Sequence, residues 1–281
     1  MSLTIRPLTE VMAAEVTGVA LSGDLPQETV DAIRQAWLDH TVLVFRDQDL
    51  SPATQAAFTR RLGDLEHHTV SEYTHPDVPE VFIISNIKKA GKYVGAAKSG
   101  RHWHSDSQFL KVPSAGSLLY GLQVPPEGGD TLFANMYAAY EGLSDAMKAK
   151  IADLKVVCSR VKAWPISYPN RPPLTEEQKA KLPDVVHPLV RTHPETGRKS
   201  LYIGGNVVWE VVGMPYEEGR ALLDELRRHA TADRFTYRHR WRKGDAVMWD
   251  NRCTLHSATP YDEERFDRLM HRTTMLGTVP A

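Results

Sequence analysis

The sequence predicts a mainly β fold, a β-sandwich or jelly roll with helices packed outside it. Strand-like segments recur along most of the chain, at 116–124, 131–135, 154–161, 199–204, 235–241, 245–249 and 268–276. Turn signals such as "PPEGGD" and "HPETGRK" separate them. Their spacing is uneven, and helical stretches intervene near 136–152 and 216–230, as expected when helices decorate a sandwich.

The first 65 residues have an α/β character. In "PQETVDAIRQAWLDH" (26–40) the apolar residues Val30, Ile33, Ala36 and Trp37 fall at helical spacing. "TVLVFRDQ" follows as a short β-branched strand. Ser51 is suited to cap a second helix, with Pro52 at its first position, running through "ATQAAFTRRLG" to Gly63. "EVFIISNI" (80–87) reads as another buried strand. The stretch 163–186, with five prolines, Trp164 and Tyr168, matches no regular element; it reads as either an active-site lid or a plain surface excursion. There is no internal repeat, low-complexity tract or linker, so 1–281 is expected to form a single domain.

Composition bounds the function. The chain has 281 residues, 42% hydrophobic and 25% charged, with net charge −1, which suits a soluble protein with a sizeable core. Near-neutral charge gives no reason to expect nucleic acid or a membrane as partner. No apolar run approaches the length of a transmembrane helix, and the start lacks a secretory signal. Two cysteines, Cys158 and Cys253, make no disulfide framework, so a cytoplasmic location is expected and both read as small buried hydrophobes. A symmetric homo-oligomer, dimer or tetramer, is the default expectation.

The chemistry centres on "RHWHSDSQF" (101–109), a polar island between Trp103 and Phe109. If this stretch were a strand, His104 and Asp106 would point to one side and reach one ion. Two histidines and a carboxylate make the facial triad of non-haem Fe(II) oxygenases. With 12 histidines and 18 aspartates, chance supplies about one such pair. His75–Asp77 and His193–Glu195 repeat the spacing, but each has proline between and reads as a surface turn. A third ligand is available in "GDAVMWDNRCTLHSA" (244–258), where His256 follows an apolar strand. In "DRLMHRTTMLGT", alternation puts Arg268 and Arg272 on one face. If that face lines the interior, each arginine needs an anion, either a protein carboxylate or a ligand. Thr131, after the Gly-Gly turn, can hydrogen-bond a bound carboxylate or serve only as a good strand former.

Together, "WHSDSQF", "PPEGGDTLFANM", "HPLVRTHPETGRKSLYIG", "YRHRWRKGDAVMWDNRCTLH" and "RLMHRTTMLG", with the N-terminal "VTGVAL", "TVLVFRDQDLS" and "RRLGDLE", resemble the taurine dioxygenase / 2,4-dichlorophenoxyacetate dioxygenase (TauD/TfdA) family. These are Fe(II)- and 2-oxoglutarate-dependent oxygenases. The resemblance runs from about residue 5 to residue 277 and implies a double-stranded β-helix, a distorted jelly roll. It implies that His104, Asp106 and His256 hold the iron. It implies that Thr131 and Arg268 hold the distal carboxylate of 2-oxoglutarate. Arg272 would bind the acidic group of a small anionic organic substrate, such as an aryloxyalkanoate or sulfonate, and His68, or its neighbour His67, would contact it. O2 is the second cosubstrate; succinate, CO2 and a hydroxylated product follow, and the product can fall apart if the carbon bears oxygen or sulfur. Trp164, Tyr168, Val208 and Trp209 are candidate pocket walls. The same His/Asp/His set also admits a zinc-dependent hydrolase, and the barrel admits a non-catalytic anion-binding protein.

Overall fold

The structure, a computed structural model, describes residues 3–66, 71–169 and 171–281. Seven strands form the larger sheet, in the order Thr4–Pro7, Ala14–Thr17, Val42–Phe45, Ala246–Asp250, Ser114–Gln123, Leu269–Leu276 and Phe82–Ser85. A second sheet, Thr236–His239, Thr131–Asn135 and Thr254–Ala258, faces it. This is the jelly roll expected from the uneven run of strands.

Strand Val42–Phe45 is apolar throughout because both its faces are covered. Leu43 and Phe45 face outward to Val30, Ile33 and Trp37 of helix Gln27–His40 and to Phe58 of helix Pro52–Arg60. Val42 and Val44 face inward, joining Leu119, Val247, Trp249 and Met270 against Phe133 of the second sheet. Each fully buried side chain of this kind contributes about 1.5–3 kcal/mol. The Ser51 hydroxyl caps its helix by accepting from the Thr54 N–H at 3.1 Å, as its position predicts. The expected strand over 41–48 stops at Phe45, because Asp47 turns into the left-handed region with φ 52°.

A third layer covers the second sheet. Strands Val185–Pro188, Lys155–Cys158 and Val208–Val211 form a three-stranded sheet, and helix Tyr216–Ala230 packs Leu222, Leu223 and Leu226 onto Val208 and Val211. The helical region near 136–152 divides into Met136–Glu141 and Asp145–Ile151, because Ser144 caps a new helix through the Met147 N–H. The strand expected over 154–161 ends at Cys158. Ser159 then caps helix Arg160–Ser167, which carries Pro165 inside it. The proline-rich stretch therefore has regular structure: that helix, a second at Glu176–Ala180 closed by a Thr175/Gln178 capping box, and the start of strand Val185–Pro188. Among the described residues no helix is long and apolar enough to cross a membrane.

Candidate active site

His104 and Asp106 do not lie on a common strand, contrary to the alternation argument. His104 makes a single antiparallel bridge to His256, with reciprocal backbone bonds of 3.0 and 2.8 Å. The chain then turns, and Ser107 takes a left-handed φ of 56°. Convergence comes from the bridge and the turn together. The bridge brings the two imidazoles to 4.1 Å between centroids, and the turn carries Asp106 beneath them. Nε2 of His104 lies 3.8 Å from Asp106 Oδ1, and Nε2 of His256 lies 3.9 Å from the same oxygen.

These separations are too long for hydrogen bonds. Nδ1 of His104 meets the His102 carbonyl at 2.8 Å, so it carries the proton and leaves the Nε2 lone pair facing Asp106. Burial holds His104 below the usual histidine range, and burial with the neighbouring His104 holds His256 further below it. Burial opposes ionisation of Asp106, but Arg272, His256, His104 and the Ser117 hydrogen bond outweigh it, and its carboxyl stays well below the ordinary range. Two neutral imidazoles and an ionised carboxylate, converging without bonding one another, are the donor set of a divalent iron facial triad.

Two supporting residues escaped the sequence reading. Ser117 donates to Asp106 Oδ2 at 2.8 Å. Asn251 accepts from the Asp106 N–H at 3.1 Å and from Trp249 Nε1 at 3.0 Å, while its amide nitrogen donates to Ser117 at 3.2 Å and to Asp106 Oδ2 at 3.4 Å. The Trp249 bond fixes which way the amide faces. Both residues thus hold Oδ2 and leave Oδ1 toward the histidines. The signal for Asn251 was present in "MWDN", an apolar strand ending in polar residues. Replacing Asn251 or Ser117 by Ala is expected to weaken metal binding about 10–100-fold with the fold retained, read by competition against a chromophoric chelator.

The two arginines part company. Arg272 Nη1 donates to Asp106 Oδ1 at 2.9 Å, so a protein carboxylate answers its charge. Arg268 is buried and forms no ion pair among the described residues; its Nε has no partner, and among those residues its guanidinium makes a single, long hydrogen bond, 3.4 Å, from Nη2 to the Gly129 carbonyl. Burial lowers its pKa to about 10. It borders a cavity also lined by Ser85, Asn86, Lys98, Ser99, Thr259 and Tyr261. Gly128 and Gly129 both have positive φ, and a Cβ on Gly128 would come within 2.6 Å of the Pro260 carbonyl, so only glycine passes here. Thr131 follows two residues on, buried, its hydroxyl accepting from Trp241 Nε1 at 3.0 Å. No hydrogen bond joins Thr131 to Arg268. His68 and His67 lie outside the described residues.

The rival His-x-acid pairs are turns, as expected. His75 Nδ1 accepts from the Asp77 N–H and His193 Nδ1 from the Glu195 N–H, both at 3.2 Å. His193 is buried rather than on the surface, because its Nε2 meets Asp250 at 3.1 Å. His193, Asp250 and Cys253 form a second group of ligand-type atoms. Asp250 is already held by Arg252 through both oxygens, at 2.8 and 2.6 Å, so this group is structural.

A jelly roll whose interior presents two histidines and a carboxylate, with an unanswered arginine at a neighbouring cavity, has the architecture of a mononuclear non-haem iron oxygenase that uses a 2-oxo acid. The family model "Taurine catabolism dioxygenase TauD, TfdA family" matches residues 4–274, and the chain belongs to this family. The alpha-ketoglutarate-dependent 2,4-dichlorophenoxyacetate dioxygenase of Cupriavidus pinatubonensis is 38% identical over 291 residues, covering 98% of each chain. The (S)-phenoxypropionate/alpha-ketoglutarate-dioxygenase of Sphingobium herbicidovorans is 35% identical, covering 97% of this chain and 94% of that one. The crystal structure of AAD-2 in complex with Mn(II) and N-oxalylglycine superposes with a TM-score of 0.85 at 35% identity, covering 100% of this chain and 99% of that one. The protein is a 2-oxoglutarate-dependent non-haem iron dioxygenase, which disposes of the zinc-hydrolase and binding-module alternatives.

Proposed function

We propose that His104, Asp106 and His256 bind the Fe(II), that Arg268 and Thr131 hold the distal carboxylate of 2-oxoglutarate, and that Arg272 orients the acidic group of a small aryloxyalkanoate. The observation that carries this reading is the convergence of both Nε2 atoms on Asp106 Oδ1 without a hydrogen bond among them. The substrate class rests on the two relatives, which are named for 2,4-dichlorophenoxyacetate and (S)-phenoxypropionate. His68 as a further substrate contact rests on the family resemblance; a single working domain over 1–281 rests on the absence of a linker in the sequence, and 163–186 as its lid on the five prolines, Trp164 and Tyr168 of that stretch.

When bound, the iron and 2-oxoglutarate supply O2 activation coupled to decarboxylation, yielding succinate, CO2 and a hydroxylated substrate. The chain supplies placement. Ser117 and Asn251 keep Asp106 turned so that Oδ1 faces the metal position. Arg268 neutralises the far end of the 2-oxo acid in a site where an unpaired charge is costly. Arg272 spends one N–H on Asp106, and a guanidinium retains four others for a substrate carboxylate. Trp249, 4.7 Å from the His256 ring, and Phe133, 6.2 Å from it, keep water from that side.

Anaerobic titration of metal-free protein with Fe(II) and then 2-oxoglutarate tests the ligand assignment. A visible charge-transfer band in the parent and none in His104→Ala is expected. Succinate release should then be stimulated by aryloxyalkanoates more than by alkyl sulfonates. A band of parental strength in His104→Ala would refute the assignment, and a preference for sulfonates would refute the substrate class.

A further inference from the structure

Arg191 lies outside the site described above. It sits on strand Val190–Thr192, opposite Ser200 of strand Lys199–Leu201, and its side chain is fully buried. None of its three side-chain nitrogens has a hydrogen-bond partner, and it forms no ion pair among the described residues. Its guanidinium lies 5.1 Å from the ring of Tyr202, whose buried hydroxyl also lacks a hydrogen-bond partner of good geometry. The His187 ring is 5.8 Å from that of Tyr202, and Gln108 donates to the Tyr202 carbonyl at 3.0 Å. His187 Nδ1 and Gln108 Oε1 are unpaired as well.

None of Tyr202, His187, Gln108 and Cys253 carries negative charge, and the carboxylate of Asp250, which also acts on Cys253, is held through both oxygens by Arg252. Burial pushes the Tyr202 hydroxyl up, so it keeps its proton. Cys253, close enough to feel the Arg191 charge, is raised well above the usual thiol range by burial. His187 Nε2 faces the carbonyls of Gln108 and Leu110, each at 3.0 Å; carbonyls only accept, so Nε2 holds the proton and the ring is neutral, in line with its lowered pKa on burial. Arginine does not shed its proton inside proteins. Water can satisfy N–H groups, but it cannot neutralise a buried cation, and an uncompensated one is very costly. The neighbours Tyr202, Gln108 and Cys253 are at most 2% exposed, so whatever supplies the charge must be small.

We propose that the Arg191 guanidinium and the Tyr202 hydroxyl form a structural binding site for a small monovalent anion of the halide class, with chloride as its occupant. Halide suits the site because it offers only acceptor character to a set of N–H and O–H donors and needs no orientation. The site ties strand Val190–Thr192 to Tyr202 beneath the 105–108 turn and is independent of the iron chemistry.

Two measurements on the full chain test it. Crystals soaked in bromide are expected to show an anomalous peak within hydrogen-bonding distance of the Arg191 guanidinium and the Tyr202 hydroxyl. In solution, the melting temperature should rise with chloride through a saturable midpoint when chloride replaces gluconate at constant ionic strength. Arg191→Met should abolish that dependence. Tyr202→Phe, which keeps the charge and packing, should raise the chloride midpoint about tenfold, and it serves if the Arg191 variant fails to fold. Bromide at surface positions alone marks an adventitious ion only and overturns the assignment. A melting temperature indifferent to chloride, or a midpoint unchanged in Tyr202→Phe, overturns it too.

Discussion

Asp106→Asn is expected to abolish both the iron–2-oxoglutarate band and turnover, and also to lower the melting temperature of the metal-free protein. The second effect separates Asp106 from the histidines. Its Oδ1 accepts from Arg272 at 2.9 Å and its Oδ2 from Ser117 at 2.8 Å. Asparagine keeps the shape but removes the charge that answers Arg272. Breaking a buried ion pair by removing one partner costs about 3–5 kcal/mol, and because the Arg272 side chain is 18% exposed, water recovers part of that. A loss of about 2–3 kcal/mol, or several degrees in a chain of this size, is the expected result. His104→Ala should silence the enzyme equally but cost less stability. The His104 Nε2 bonds nothing within hydrogen-bond reach, and its Nδ1 bond is local, to the His102 carbonyl. Parallel melting curves and iron titrations of the two variants check the contrast. An Asn variant that retains the band removes Asp106 from the metal site, and one that melts like the parent shows that Arg272 has another partner.

That pairing marks the boundary of what the chain discloses by itself. Helix Gln27–His40 was legible because the four expected apolar residues are its buried ones, and helix Pro52–Arg60 because Ser51 and Pro52 punctuate its start. The strands were legible because β-branched runs fall between turn residues. Helix Arg160–Ser167 was not, because Pro165 argues locally against a helix that its Ser159 cap and its packing allow. His104, Asp106 and His256 were legible as residue types, but the reason they meet was not: a lone bridge between segments 152 residues apart in sequence leaves no periodic trace. The contacts of Asn251 and Ser117 with Asp106 are likewise long-range side-chain bonds, with sequence separations of 145 and 11. The alternation argument put both arginines on one face and offered each the same two partners. Only the fold assigns a protein carboxylate to one and none to the other.

For Arg268 the expected sign is opposite to that of an ordinary core substitution. Arg268→Met should weaken 2-oxoglutarate binding about 10²- to 10³-fold, because truncating one side of a buried, hydrogen-bonded charge pair costs about 2–5 kcal/mol. The same change should leave the ligand-free protein at least as stable as the parent, or more so. In the free protein this guanidinium is buried, its Nε is unpartnered, and burial depresses its pKa to about 10, the signature of a cation held where it is unwelcome. Methionine fills similar space without that penalty, and exchanging buried charge for packed apolar atoms has been worth about 1–4 kcal/mol in favourable cases. Calorimetric titration with 2-oxoglutarate and a melting curve without it measure the two halves on one sample. Weak binding with undiminished stability would mean that the fold bears the cost of Arg268 for its ligand's sake. Weak binding with a large loss of stability would mean that Arg268 holds the structure together and that its effect on 2-oxoglutarate is indirect.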